Sequence, residues 1–504
     1  MHDRVMRALL VTSIGVACAG ALLLPLAPTE SAESMLHGKR SSSGGDAAPP
    51  AAPRGPGGAD RGSRATAADS GGPVPGSTRS LSLRAGGDGK RAGDKLLSAW
   101  EDDPSGGRRV TSRDVKPFSL VGVVWDDVGA VPEGRLQVQT RASGSGKWSA
   151  WRTLDTHGDG TPQPGERDRG GKKAVGATAP VWTGDSTAVR VRIVPDGAKG
   201  PKAGGASGDR TGDRKAGETR LPEGARLELV DPGKTPGSGS RKGSRTGSGA
   251  GDAPGGGGPR GDDPAKRPGG VLPRLTRADT RSTYGDEAAD ATPSKSDRAQ
   301  DSRIGPRPAI VTRKGWGADE GLREREFSYS RTVKAAFVHH SAETNDYACG
   351  DVPAIIRSIY RYHVQSSHWR DIGYNFLVDK CGKIYEGRAG GVAKPVMGAH
   401  TLGFNTDTTG IAVLGTYSRE APSKAAKEAL SRLTAWKLGV HGVNAAGKVT
   451  LTSGGSNKHR RGSKVSFNAV SGHRDGFTTE CPGERLYREL PAVRTEAGRL
   501  QGRR

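Results

Sequence analysis

Apolar and aromatic residues are scarce in this chain of 504 residues: 33% are hydrophobic and 5% aromatic, against 78 glycines and 32 prolines. One core running the full length is thereby excluded, and the expectation is roughly two folded units separated by disorder. Cysteine is almost absent, with four in the whole sequence, so a densely cross-linked scaffold is excluded as well. Acid is short relative to base: 54 Asp and Glu against 77 Lys and Arg leave a formal charge of +23. Such an excess asks for an anionic neighbour or serves solubility alone. No nucleic-acid-binding motif accompanies it, so an anionic cell envelope is the expected partner and nucleic acid is not.

Arg4 and Arg7 precede an apolar run over residues 8–26, and Pro25, Pro28, Ser31 and Ala32 suit cleavage at its end. Residues 1–32 read as a signal peptide, giving a secreted, wall-associated monomer without stable membrane insertion after cleavage. A retained anchor is the competing reading, because the run approaches the ~20 apolar residues that span a bilayer. Gly15 stands where a lipidation motif around Cys18 would need a large aliphatic residue. Once Cys18 is removed, Cys349, Cys381 and Cys481 remain, and an odd count outside the cell points to one thiol with a task other than a disulfide.

Residues 33–79 are Gly, Ala, Pro, Ser and Arg without apolar periodicity and read as a disordered tether. Over residues 80–232, Leu136 and Val138, then Val189, Val191 and Ile193, then Leu227 and Leu229 alternate with polar residues. With the runs 118–125, 148–154 and 179–182 these make about six strands, an all-β sandwich-like domain interrupted by a low-complexity insert at 196–219. Trp148 and Trp151 could stack on sugar rings or belong to the core. Asp155, His157, Asp159, Gly160 and Glu166 have the spacing of a calcium loop, but Pro162 and Pro164 sit inside it and no helix flanks it, so it reads as a polar turn. Residues 233–305 form a basic, flexible linker expected to lie near anionic wall polymers.

Residues 306–504 differ in kind, holding eight of the 11 histidines and every cysteine left after leader removal. Val352, Ile355, Ile356 and Ile359 share one side of a helix opened by Asp351; Ser423 opens a second; Leu486 and Leu490 mark a third. Strand-like runs at 333–339, 375–378, 383–386 and 410–414 interleave with them, predicting an α/β fold with a mixed β-sheet covered by helices. His473 and Cys481 stand eight residues apart in GHRDGFTTECPG, and FVHHSA at 337–342 offers a third ligand. A catalytic zinc site takes three such neutral imidazole and thiolate ligands. His339 and His340 point to opposite faces of a strand, so only one can join. On spacing alone, isolated histidines and a buried thiol fit equally well.

The segments VHHSA, DIGYNFLVD, IYEGR, GAHTLGFN, TGIAVLG and GHRDGFTTECPG, in this order over about residues 307–491, resemble the peptidoglycan recognition protein family and the related zinc-dependent N-acetylmuramoyl-L-alanine amidases. The resemblance implies zinc on His339, His473 and Cys481, and bacterial peptidoglycan as partner. Members that have lost activity usually lack the cysteine, so Cys481 implies an enzyme, with a non-catalytic recognition module as the alternative. Tyr374 would place its hydroxyl beside the attacking water or the developing oxyanion, with His400 as a further donor. Thr479 stands where bacteriophage relatives carry a lysine, which leaves the proton-transfer partner open. His363, Arg388, His400 and Asn405 match groove positions; Trp316 matches a segment beside the groove or a core anchor. Arg474 and Asp475 would shape the loop or support a ligand. Cys349 and Cys381 flank the first helix and are expected to form a disulfide.

Overall fold

The computed structural model describes residues 74–83, 97–98, 100–112, 115–156, 175–196, 219–234, 270–290 and 303–503. The expected signal peptide, nearly all of the tether and of the insert, most of the basic linker and the calcium-like turn beyond Thr156 lie outside the described residues.

The first half is built from β1 (Ser77–Ser82), β2 (Glu101–Asp102), β3 (Arg108–Thr111), β4 (Phe118–Trp125), β5 (Arg135–Ala142), β6 (Arg152–Thr153), β7 (Gly176–Ala177), β8 (Val181–Val194) and β9 (Arg226–Asp231). Strand β8 serves two layers: its beginning pairs with β4, and its end pairs with β3 and β5. Leu136 and Val138 of β5 and Val189 and Val191 of β8 face Val121, Val123 and Leu229 across the sandwich interior. The alternation read in β5, β8 and β9 is therefore the inward face of these layers. Strands β1 to β3 and β7 lacked a comparable signal.

In β4 all eight residues are buried, because its second face is also covered. Leu120, Val124 and Val230 share an apolar cluster with Ile355, Ile356 and Ile359 of the second half. Gly122 makes that approach possible, since a Cβ there would fall 2.5 Å from the Tyr362 ring. The Tyr362 hydroxyl donates to the Thr178 carbonyl at 3.0 Å, and Arg357 Nε donates to the Pro232 carbonyl at 3.0 Å. The two folded regions, expected to be held apart by a linker, pack directly on each other.

The second half has a sheet in the order β10-β11-β14-β13-β15-β12-β18. Its strands are β10 (Val271–Leu272), β11 (Ile310–Val311), β12 (Ala335–His340), β13 (Phe376–Val378), β14 (Ile384–Glu386), β15 (Thr408–Val413) and β18 (Val470–Gly472), with β16 (Lys448–Thr452) and β17 (Lys464–Asn468) forming a separate hairpin. β12 runs parallel to both β15 and β18, whereas β13 and β14 are antiparallel, so the sheet is mixed as expected. Its helices are α1 (Arg277–Asp290), α2 (Arg313–Trp316), α3 (Val352–Arg361), α4 (Lys424–Val440), α5 (His473–Gly476) and α6 (Glu484–Leu500). Phe376, Val378 and Ile411 face α4 and α6, while Leu377 and Ala412 face α3; these short strands are apolar throughout because both faces are covered. Ser423 caps α4 by accepting from Ala426 N at 3.0 Å.

Two elements depart from the expected linker and helix pattern. Helix α1 lies within residues 233–305, where no periodicity was apparent; among its described side chains Thr280 and Tyr284 are the buried ones. Tyr284 meets Trp436 edge-on at 5.7 Å and accepts from Arg307 Nη1 at 2.9 Å. Helix α3 runs on into a π-helical turn, Tyr362–Ser366. Cys349 and Cys381 are disulfide-bonded with 32 residues of separation, joining the entry of α3 to the turn between β13 and β14. A loop of that length is stabilised by about 3–4 kcal/mol on the chain-entropy model. A Cys349→Ala/Cys381→Ala variant should melt about 10 °C lower by calorimetry; an unchanged melting temperature would show that the bridge does not stabilise this half.

Candidate metal centre

The parallel pairing of β12 with β18 sets Val338 opposite Gly472, so His339 and His473 emerge side by side, their rings 4.5 Å apart. The chain then makes the single helical turn α5 and returns to Cys481, whose Sγ lies 3.8 Å from His339 Nδ1. Ligand atoms of His339, His473 and Cys481 all fall within 4.8 Å of one another, and all three residues are buried. Ligands on one tetrahedral zinc with these bond lengths stand about 3.5 Å apart, so the donors need only small adjustments to hold the ion. His340, on the opposite side of the strand, accepts from Tyr417 N through Nδ1 at 3.4 Å and does not enter the cluster.

Both nitrogens of His473 are buried without a hydrogen-bond partner among the described residues, and the side chain is 1% exposed. A buried polar atom left unpaired is costly, and a cation would satisfy it. Burial holds the imidazoles neutral, as metal ligation requires: His473 is pushed down to about 3, and His339 lies well below the ordinary histidine value, with His473 and His400 adding to its desolvation. The His340 N–H donates to Cys481 Sγ at 3.4 Å. The donor set and the unpaired His473 nitrogens fit zinc.

His400 stands behind His339, with its Nδ1 3.3 Å from His339 Nε2 and 3.1 Å from Thr401 Oγ1. It is fully buried, and Gly410 leaves room for it, since a Cβ there would sit 2.3 Å from the ring. This arrangement orients His339 so that Nδ1 faces Cys481. Asn405, offered from sequence as a groove residue, accepts from His400 N at 2.9 Å and Thr401 N at 2.8 Å and thereby shapes the supporting loop. Thr401 itself, 3.4 Å from His339 Nε2, was not singled out in sequence, although it adjoins His400.

Tyr374 enters from the segment before β13, its ring 5.4 Å from His339 and 5.9 Å from His363. His363 stacks on Trp369 at 4.3 Å and accepts from Gly373 N through Nδ1 at 3.2 Å, which fixes the neutral tautomer with its proton on Nε2. Trp369 carried no motif that would have marked it. Arg388 donates to the carbonyls of Ile372 at 2.9 Å and Met397 at 3.0 Å, tying together the loops around Tyr374. Thr479 Oγ1 accepts from Cys481 N at 3.2 Å. Asp475 accepts from Gly472 N at 2.8 Å and from the Tyr487 hydroxyl at 2.7 Å, while Arg474 pairs with Glu484 at 2.8 Å, so both brace the loop. Trp316 is 1% exposed and bonds the Glu386 carbonyl at 2.8 Å, which makes it a core anchor beneath α3.

Burial, with the Arg388 charge adding to it, pushes His363 down to about 3. Because the folded value lies below the unfolded one, near 6.5, the unfolded chain binds the extra proton. Its contribution is complete above pH 6.5 and is lost as pH falls towards 3, amounting to about 2 kcal/mol by pH 5. His363→Gln should flatten the decline of melting temperature between pH 6.5 and 4; an unchanged slope would place the titration elsewhere.

Residues 329–484 match the N-acetylmuramoyl-L-alanine amidase family, and residues 74–216 match a family described as Rv3811 N-terminal galactose-binding domain-like. Peptidoglycan-recognition protein SC2 of Drosophila simulans is 31% identical over 183 residues, which is 36% of this chain and 84% of that protein. The N-acetylmuramoyl-L-alanine amidase of Homo sapiens is 33% identical over 183 residues, 36% of this chain and 27% of that protein. Among solved structures, wild-type Drosophila PGRP-LB is 26% identical, covering 36% of this chain and 91% of its own, with a TM-score of 0.29.

Proposed function

Since the chain belongs to the family of peptidoglycan recognition proteins and N-acetylmuramoyl-L-alanine amidases, we propose that it is a secreted zinc amidase acting on bacterial cell wall. The bond cut is the amide between the lactyl group of N-acetylmuramic acid and L-alanine. The observation that carries this reading is the buried cluster of His339, His473 and Cys481, with both His473 nitrogens unpaired among the described residues.

When bound, zinc supplies Lewis-acid polarisation of the carbonyl and acidifies a water towards a pKa of ~7. The protein's own groups do the rest. His400 and Thr401 hold the His339 ring in register. Tyr374 donates its hydroxyl proton to the oxygen on which charge develops. Arg388 fixes the loops that flank Tyr374, and the bonds of Asp475 and Arg474 keep the span between His473 and Cys481 from opening. The sandwich domain, packed on α3, is a rigid part of the enzyme on this reading.

Purified intact peptidoglycan distinguishes the enzyme from a non-catalytic recognition module. The expected result is release of soluble stem peptides with new L-alanine amino termini. Retention of the protein on the wall for hours, with no new amino termini, would assign it to recognition instead.

A further inference from the structure

Between α4 and β18 the chain makes a detour, the hairpin β16–β17, with no counterpart among the motifs read from sequence. Its tip and the start of β17 carry Lys458, Arg460, Arg461 and Lys464, all exposed. Among the described residues none of the four is paired with a carboxylate. The acids of the adjoining loop are otherwise engaged: Asp475 accepts from Tyr487, and Glu480 pairs with Arg474 at 3.5 Å.

The hairpin is tied to both sides of the metal centre. On one side, Ser456 Oγ donates to the Gly476 carbonyl at 3.0 Å, and Thr478 N donates to Asn457 Oδ1 at 2.8 Å, inside the loop between His473 and Cys481. Lys458 Nζ also donates to the Arg474 carbonyl. On the other side, Gly454 N donates to the Gly403 carbonyl at 2.7 Å, in the loop that holds Thr401 and Asn405. Phe467 anchors the hairpin from below, meeting Phe337 at 5.3 Å and Phe404 at 4.9 Å. A cationic tip fixed by this many bonds forms a permanent positive rim on the edge of the site.

The proposed substrate has its charge in one part. Its glycan consists of N-acetylated sugars, and the lactyl carboxyl of muramic acid is consumed in the scissile amide. The remaining anionic groups are the carboxylates of the stem peptide. We infer that the hairpin tip, through Arg460, Arg461 and Lys464, is a binding subsite for a stem-peptide carboxylate. The inference rests on the amidase reading for the identity of the substrate, but not on turnover.

The test uses the full-length protein with zinc and a fluorescent free stem peptide, which lacks the scissile bond, in two forms: free carboxylates and carboxamides. The wild type should bind the carboxylate form about tenfold more tightly, the sum of a few exposed ion pairs, and 0.5 M salt should erase the preference. Arg460→Gln/Arg461→Gln/Lys464→Gln should bind both forms like the carboxamide, while Arg460→Lys/Arg461→Lys should recover most of the preference. Lys424→Gln, which removes a charge on α4, should leave the preference intact, and matching melting curves certify each fold. A triple variant that keeps the preference overturns the inference. So does a wild type that binds a phosphate-bearing wall polymer through these residues but shows no carboxylate preference. Failure of the wild type to cleave muropeptides would instead count against the amidase reading and leave the peptide-binding result standing.

Discussion

Replacing Cys481 with alanine is expected to remove both stoichiometric zinc and amide cleavage, with kcat/KM falling by about 10³-fold or more. The thiol is 1% exposed and lies 3.8 Å from His339 Nδ1, with the His340 N–H directed at it from 3.4 Å. That N–H stabilises a thiolate once a cation is adjacent. Without the sulfur, two neutral imidazoles remain, too few for a catalytic zinc site. The variant should keep its fold, because the loop is held by Asp475, Arg474 and the hairpin rather than by the sulfur. Metal analysis beside a rate measurement checks both halves of the expectation. Zinc-dependent cleavage at the wild-type rate in Cys481→Ala would remove the site from the mechanism.

Tyr374→Phe should lower kcat by about 10²–10³-fold while leaving zinc content and stability close to those of the wild type. The ring is 1% exposed and packed between His339 and His363, so phenylalanine fills the same space. The main chain at this position is independently fixed, since Tyr374 O accepts from Arg388 N at 2.8 Å. If the hydroxyl donates to the developing oxyanion, the substitution removes that donation, and an interaction confined to the transition state appears in kcat rather than KM. A rise in KM at constant kcat would show that the hydroxyl binds substrate instead.

What was legible in the sequence was local chemistry. The alternation of β5, β8 and β9, the apolar stripe of α3 and the Ser423 cap of α4 each arise from residues close in sequence. The clustering of His339, His473 and Cys481 could be anticipated because these residues sit in short motifs that resemble a known family's, and strand geometry required a choice between His339 and His340. What was not legible depends on partners far along the chain. The seat of Tyr362 on Gly122 joins residues about 240 positions apart, and neither carries a periodic signal of that meeting. Helix α1 shows two buried anchors among its described side chains, Thr280 and Tyr284, too few to make a stripe. The hairpin carries no legible stripe because each of its strands buries a single residue, Leu451 in β16 and Phe467 in β17. His400 was legible as a site residue, but its place behind His339 was not, since motif spacing does not say which way a ring points.

Zinc-dependent cleavage at the muramoyl–L-alanine amide is tested most directly by mass spectrometry of the products from defined muropeptides, with chelator present and after zinc is restored. The expected products are an intact N-acetylmuramoyl glycan and a free stem peptide beginning at L-alanine, absent with chelator and recovered with zinc. Cleavage at any other bond, or undiminished cleavage in chelator, would contradict it.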